Sequence, residues 1–402
     1  MEKYRPNRFV LLNRPKFIGR FFCALSRFTD DLKSLSFNTS KPNMENVNRY
    51  LIRDRYHRFE EVRSMRTVSE LEDRLSEPSD RLVSDLSALD GDILILGVGG
   101  KMGPSLAKLA KRGVEAAGKN ARIIGVSRFS SGHLQKELEK AGIETVSADL
   151  LDEKALDGLP EAQNIIYMAG NKFGTTGKEY FTWAMNAYLP GRVAERYSHS
   201  RIVSFSSGNI YPLTPIELGG ASEETAPAPI GEYAQSCLGR ERIFEYFSRK
   251  NNTPILNFRL NYAIDMRYGI LLEIASAVKE GRPIDLNMGL VNVIWQGDAN
   301  EMAIRSLALC GTPAVTLNVT GPETVSVRWL AERFGEAFGT RPQFTGTEQP
   351  TALLNNASTS HQLLGYPNVS LRQMMEWTIS WIEAGGDTLG KPTHFQQREG
   401  VF

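Results

Sequence analysis

The sequence predicts an α/β fold, a doubly wound parallel sheet followed by a smaller carboxyl-terminal α/β lobe. Three observations carry this prediction. Ile93-Leu-Ile-Leu96 is a continuous apolar run, as expected for a strand buried on both faces of a parallel sheet. Apolar runs and helical patterns then alternate to about residue 262, the order that covers a parallel sheet with helices on both sides. Between the first strand and the first helix, Gly97, Gly100 and Gly103 recur at three-residue spacing.

After the glycines, Met102, Leu106, Leu109, Ala110 and Val114 recur with helical period, and Pro104 suits a first helical turn, where its missing N–H costs nothing. The spacing predicts further strands over Ala121–Arg128, Glu144–Asp149, Asn164–Gly170, Ser200–Ser207 and Pro254–Leu260. Helices are predicted over His133–Ala141, Ala184–Tyr197 and Gly231–Arg249. Residues 90–262 are thus read as one Rossmann-type domain. Residues 263–385 are read as the smaller lobe: helices at Ile270–Glu280, Glu301–Leu309 and Val327–Phe338, with strand-like segments at Val291–Trp295 and Ala314–Val319.

Three flanking segments complete the division. Residues 66–89 read as a helical lead-in, with Val68, Leu71, Leu75, Leu82 and Leu86 facing the core. Residues 386–402 form a tail without periodicity, expected to wrap the surface. Residues 1–65 are basic at the start: Lys3, Arg5, Arg8, Arg14, Lys16, Arg20, Arg27 and Lys33 face only Glu2, Asp30 and Asp31 in the first forty residues. That composition suits a transit peptide, a disordered arm, or a start at Met44 or Met65. The reading favoured is a poorly ordered extension outside the chemistry.

Bulk properties narrow the function classes. A chain of 402 residues can bury a substantial core, and a net charge of +1 gives no reason to expect nucleic acid or an anionic membrane as a partner. Cys23, Cys237 and Cys310 are far apart, so a reduced, cytoplasmic protein is the simplest reading. The five histidines show no ligand spacing, and no metal site is expected. No apolar segment approaches the ~20 residues that span a bilayer.

Strand, glycine-rich turn and helix in this order present backbone N–H groups and a positive helix end to a pyrophosphate, so the turn predicts a dinucleotide site at the carboxyl ends of the strands. The second strand ends in Ser127-Arg128. An acidic residue there would bind the ribose hydroxyls of NAD, whereas serine and arginine suit the extra phosphate of NADP. NADP is therefore preferred over NAD, against the alternative of a solvated strand-end arginine. Asp149 ends the third strand, either near an adenine ring or as an N-cap for the helix after Leu150.

Further along stand Tyr167-Met-Ala-Gly170, Asn186, Phe205-Ser-Ser-Gly-Asn-Ile-Tyr211, Tyr233-Ala-Gln-Ser-Cys237, Arg259-Leu-Asn261, Val293-Ile-Trp-Gln-Gly-Asp298 and Leu317-Asn-Val-Thr-Gly-Pro322. With the glycine turn, they resemble the extended short-chain dehydrogenase/reductase superfamily, and more narrowly its NAD(P)-dependent epimerase/dehydratase group, over roughly residues 90 to 340. The resemblance implies cofactor contacts at Gly97, Gly100, Lys101, Met102, Gly103, Ser127, Arg128, Asp149, Leu150, Ala169, Gly170 and Tyr233. It also implies a small-molecule substrate with a hydroxyl or keto group, such as a sugar derivative, and a homodimer.

The family's chemistry uses a tyrosine as acid/base, a serine or threonine that holds the reacting oxygen, and a lysine four residues after the tyrosine. The resemblance carries these roles onto Tyr233 and onto Ser207, twenty-six residues before it. The lysine position holds Cys237, and a neutral thiol cannot stabilise a tyrosinate at neutral pH, free tyrosine titrating near ~10. Three readings compete. Another cation substitutes, Lys172 or Arg240; the reaction needs only a hydrogen-bonding tyrosine; or catalysis is lost and the fold binds cofactor as a regulator or scaffold. Asn171–Gly177 reads as a loop over the nicotinamide end or a plain surface loop. Asn186 is expected to pin the fourth strand. Arg259, Asn261 and Arg267 either face an anionic substrate or, for at least one of them, form structural ion pairs.

Overall fold

In the computed structural model, which describes residues 64–130, 132–172 and 177–400, the apolar run forms β1 (Ile93–Leu96), with every side chain buried. The remaining main strands are β2 (Ile123–Ser127), β3 (Glu144–Ser147), β4 (Asn164–Tyr167), β5 (Arg201–Ser207), β6 (Ile255–Leu260) and β7 (Val315–Val319). They make one all-parallel sheet in the order β7-β6-β5-β4-β1-β2-β3. The order reverses on either side of β1, where β4 joins at one edge and β2 at the other. A crevice at the carboxyl ends is expected at such a switch point. The described residues all belong to one unit, Arg63–Phe402.

Alternation along the strands builds two cores. Ile93 and Ile95 point to one face and join Leu106, Leu109 and Ala110 of α3 (Gly103–Ala116), preceded in the chain by α1 (Val68–Leu75) and α2 (Asp80–Ala88). Leu82 and Leu86 of α2 pack on the same face, as do Leu138 of α4 (His133–Lys140) and Ala299 and Met302 near residue 300. Leu94 and Leu96 point the other way, against Leu156 of α5 (Glu153–Asp157), Val193 of α7 (Leu189–Arg196) and Phe244 of α8 (Gly231–Asn251). Between α5 and α7 lies α6 (Glu179–Trp183), which runs through a π-turn at Ala184–Tyr188 into α7. The remaining helices are α9 (Ile270–Lys279), α10 (Gln296–Arg305), α11 (Val327–Phe338), α12 (Ser358–Leu364) and α13 (Leu371–Glu383).

The fold class read from the sequence holds, with local differences. Two predicted strands end early where the chain turns into the crevice: β3 stops at Ser147, and β4 stops at Tyr167 and leaves 168–170 as loop. The segment Ala314–Val319, read as part of the smaller lobe, is the edge strand of the main sheet: Leu317 pairs with Phe258 of β6. The sheet therefore draws residues from both sides of position 262. The helix expected from Ala184 begins earlier, at Glu179, and the one expected from Glu301 begins at Gln296. Leu71, Leu75, Leu82 and Leu86 are buried as predicted, but Val68, in the first turn of α1, is exposed. The tail does not merely wrap the surface: Thr393 and Phe395 are buried, and both the backbone N–H and the hydroxyl of Thr393 donate to Glu273 Oε2 (2.9 and 2.6 Å). Residues 1–63 of the basic extension lie outside the described residues.

Candidate active site

The glycine turn owes its shape to close backbone approach. Gly97 has φ +93°, and a Cβ on it would stand 2.6 Å from the backbone nitrogen of Ala169, in the loop after β4. A Cβ on Gly103 would overlap the carbonyl of Val98, so this glycine lets α3 press against the turn. Gly100 differs, because its Cβ would meet nothing nearer than the Gly97 carbonyl at 3.4 Å. The middle glycine thus faces open space, as required where a ligand rather than the protein comes close.

That space is a cavity of about 450 Å³ bounded by the turn, by the loops after β4, β5 and β6, and by residues 262–270. Of the residues read from the sequence, Gly97, Gly100, Lys101, Met102, Gly170, Asn171, Lys172, Ser207, Tyr233, Arg240 and Asn261 line it. Gly103 and Ala169 shape the turn from behind. Ser127 stands beside Gly99, on which a Cβ would collide with its hydroxyl. Arg128 is exposed at the end of β2 and has no ion-pair partner among the described residues. Asp149 is exposed after β3, with Leu150 buried beside it. Asp149 is not the N-cap of the next helix. Asp152 is, accepting from Ala155 N at 3.0 Å, while Asp149 Oδ1 accepts from Leu151 N in a turn of its own.

Tyr233 lies in the first turn of α8, and its hydroxyl hydrogen-bonds with Ser207 and Cys237. Burial, then the neighbouring thiol, push that hydroxyl well above the ordinary tyrosine range, although Arg240 and Ser207 oppose the rise. Ser207 is buried at the end of β5, where its hydroxyl also accepts from Asn209 N at 3.2 Å. Cys237 sits one helical turn beyond Tyr233, fully buried against Ile210, Tyr211 and Ala221, and outside the cavity wall. Burial holds its thiol above the usual range.

The two candidate substitute cations have different surroundings. Arg240 is buried and committed: its Nε and Nη2 donate to the carbonyl and Oδ1 of Asn186 (3.3 and 2.9 Å), and its Nη1 donates to the carbonyl of Phe205. Gly170 leaves room for it, since a Cβ there would stand 2.8 Å from Nη2. Lys172 instead reaches over the ring of Tyr233, with Nζ 5.7 Å from the ring centre, a cation–π distance. Burial lowers the Lys172 ammonium to about 8, the adjacent thiol Cys237 pulling the other way. Residues 173–176 of the glycine-rich loop lie outside the described residues.

Asn186, in the π-turn, holds the segment after β4: its Oδ1 accepts from Asn171 N at 2.8 Å and its Nδ2 donates to Asn171 O at 2.9 Å. Arg259 pairs with Glu241 at 2.7 Å and donates to the Tyr211 hydroxyl, and Arg267 pairs with Glu72 at 2.7 Å and Asp265 at 3.2 Å. Both arginines are thus structural. Asn261 alone of that trio faces the cavity, and its buried Nδ2 has no hydrogen-bond partner among the described residues. An unpaired buried amide at a cavity wall is a donor open to a ligand or to water. Sequence reasoning missed Asn209, Tyr268, Lys391 and Thr393 of the wall. The last two come from the tail, where nothing periodic marks a long-range contact.

The described residues include no group of three or more His, Cys, Asp or Glu placed to hold a metal ion, and no helix long and apolar enough to cross a membrane. The sheet order, the glycine turn and the crevice define a Rossmann-type nucleotide-cofactor-binding fold. Residues 93–264 match the model of the NAD dependent epimerase/dehydratase family, which bears out the resemblance read from the motifs. No curated protein matches the sequence. Solved structures share the fold at low identity. UDP-glucuronic acid 4-epimerase from Bacillus cereus, in complex with UDP-glucuronic acid and NAD, is 17% identical with a TM-score of 0.60, over 73% of this chain and 99% of that one. UDP-glucose 4-epimerase from Thermotoga maritima, with UDP-glucose, is 16% identical with a TM-score of 0.59, over 73% and 99%. The Thermus thermophilus UDP-glucose 4-epimerase complex with NAD is 17% identical with a TM-score of 0.59, over the same shares of 73% and 99%.

Proposed function

We propose that this protein is an NAD(P)-dependent enzyme of the epimerase or oxidoreductase type, acting at a hydroxyl- or keto-bearing carbon of a nucleotide-linked sugar. One observation carries the reading: Tyr233, Ser207 and Lys172 line the same cavity as the glycine turn. The open side of Gly100 and the unpaired amide of Asn261 fit a cofactor and a polar substrate there. The UDP-sugars and NAD held by the structures of similar fold support the substrate class.

A bound nicotinamide supplies hydride exchange at the substrate carbon. Tyr233 exchanges the proton of the substrate oxygen through its hydroxyl, and Ser207 holds that oxygen in place. Lys172 provides the positive charge that the position of Cys237 lacks. It comes from the loop after β4 instead of from the helix of the tyrosine, and it lies over the ring face. Arg128, exposed at the end of β2 and without an ion-pair partner among the described residues, supports NADP over NAD.

A second reading, a cofactor-binding regulator without turnover, is favoured by the upward push on the Tyr233 hydroxyl and by the buried thiol next to it. The experiment that separates the two combines calorimetric titration with NAD and NADP and an epimerisation assay on UDP-glucose, in the wild type and in Tyr233→Phe. The catalytic reading expects turnover that Tyr233→Phe abolishes with cofactor affinity retained. Cofactor binding without turnover in the wild type supports the regulator.

A further inference from the structure

Two lysines of the cavity wall, Lys101 and Lys391, make no ion pair with a carboxylate among the described residues. Lys101 follows Gly100, but its side chain points away from the turn: Nζ donates to the carbonyl of Ala263 at 3.2 Å and stands 4.1 Å from the centre of the Tyr268 ring. Both contacts belong to the loops after β6, on the side where the unpaired amide of Asn261 faces the cavity. Lys391 reaches the same wall from the carboxyl-terminal tail.

The nearby carboxylates are committed elsewhere. Asp265 accepts from Arg267 N at 2.7 Å and pairs with the Arg267 guanidinium at 3.2 Å. Glu273 accepts both donors of Thr393 and so fixes the tail that carries Lys391. Neither Lys101 nor Lys391 makes an ion pair with any described residue. Burial, with Lys172, Arg267 and Lys391 as like charges, lowers the Lys101 ammonium to about 8, against the pull of Asp265. An ammonium is kept in such a place at a cost in folding, and an anion arriving there relieves it.

We propose that the substrate half of the cavity recognises an acidic group on the sugar, a carboxylate, with Lys101 as the inner cation and Lys391 as the outer one. This rests on the sugar-nucleotide reading above and adds its substrate class. The same chemistry could bind a cofactor phosphate through Lys101, so the test separates the two sources.

The test is calorimetric titration of the full chain, saturated with NAD, by UDP-glucuronic acid and by UDP-glucose, which differ in the sugar carboxylate. The wild type, Lys101→Met and Lys391→Met are compared, and NAD affinity is measured for each. A charge-assisted contact to a carboxylate predicts at least about tenfold preference for the acid in the wild type. Each variant loses a large part of that preference with NAD affinity unchanged, which also shows that it is folded. Equal affinity for the two sugars overturns the inference and leaves the proposed function standing. Loss of NAD affinity in Lys101→Met, with sugar preference retained, assigns the lysine to the cofactor phosphate and also overturns it. Binding of neither sugar overturns both readings.

Discussion

The ammonium of Lys172 stands 5.7 Å from the centre of the Tyr233 ring, although the two residues come from different elements. Where an i+4 lysine would share a helix face with the tyrosine, the helix here offers Cys237, and the charge arrives from the loop after β4. The arrangement keeps a cation beside the tyrosine at neutral pH, because an ammonium lowered to about 8 is still mostly protonated there.

From this follows a pH dependence. Lys172 is charged below about 8 and loses its proton as pH rises through that value. Activity that needs its charge is therefore present at neutral pH and falls on the alkaline side. Tyr233, pushed above the ordinary range, adds no ionisation of its own in that window. We expect kcat/KM of the wild type to fall with an apparent pKa near 8, and Lys172→Met to lower kcat by about a hundredfold or more and to remove that limb. A pH–rate profile of the variant that keeps the limb assigns it to another group.

The three glycines of the turn separate by function. Gly97→Ala and Gly103→Ala force a Cβ into backbone and lower the melting temperature. Gly100→Ala has room in the fold, so we expect its melting temperature to stay near that of the wild type while cofactor affinity drops at least about tenfold. Thermal melts and cofactor titration of the three variants check this together.

The proposed preference for NADP rests on Arg128. Its exposed guanidinium matches a phosphate on the ribose, a contact between charged groups worth about 1.5–3 kcal/mol. Arg128→Ala is expected to weaken NADP by about tenfold or more and to change NAD little. Equal losses for the two cofactors, measured by calorimetry, remove the phosphate contact from the account.

Cys237→Lys would restore activity if the lysine had been lost without replacement. The structure gives the opposite expectation. Position 237 is fully buried against Ile210, Tyr211 and Ala221, with Arg240 and Lys172 both acting on it electrostatically. A third cation there meets like charge and no room, so the variant should melt several degrees lower and gain no turnover.

Much of the sheet was legible because buried parallel strands leave unbroken apolar runs, as in Ile93–Leu96 and Asn164–Tyr167. The place of Val315–Val319 was not, because a strand carries no local mark of which sheet it joins. The glycine turn was legible as chemistry, since close approach excludes side chains whatever the fold around it. Lys172 could be nominated only from its position after a strand; its stance over Tyr233 depends on packing of β4 against α8. The sequence favoured structural ion pairing for at least one of Arg259, Asn261 and Arg267 without saying which; the contacts with Glu241, Glu72 and Asp265 assign it to Arg259 and Arg267. The lysine of the tail left no signal, because Lys391 reaches the cavity through a segment without period and is held by Thr393 on Glu273.

The proposed function requires that Tyr233 perform chemistry in a working cofactor cavity. The most direct measurement is the absorbance of reduced nicotinamide when UDP-glucose or UDP-glucuronic acid is added to the NAD-loaded or NADP-loaded chain, in the wild type and in Tyr233→Phe. We expect one of these sugars to reduce bound cofactor in the wild type and neither to do so in Tyr233→Phe, with equal cofactor occupancy in both. Equal reduction in the two proteins, or none in a wild type that binds both cofactor and sugar, contradicts it.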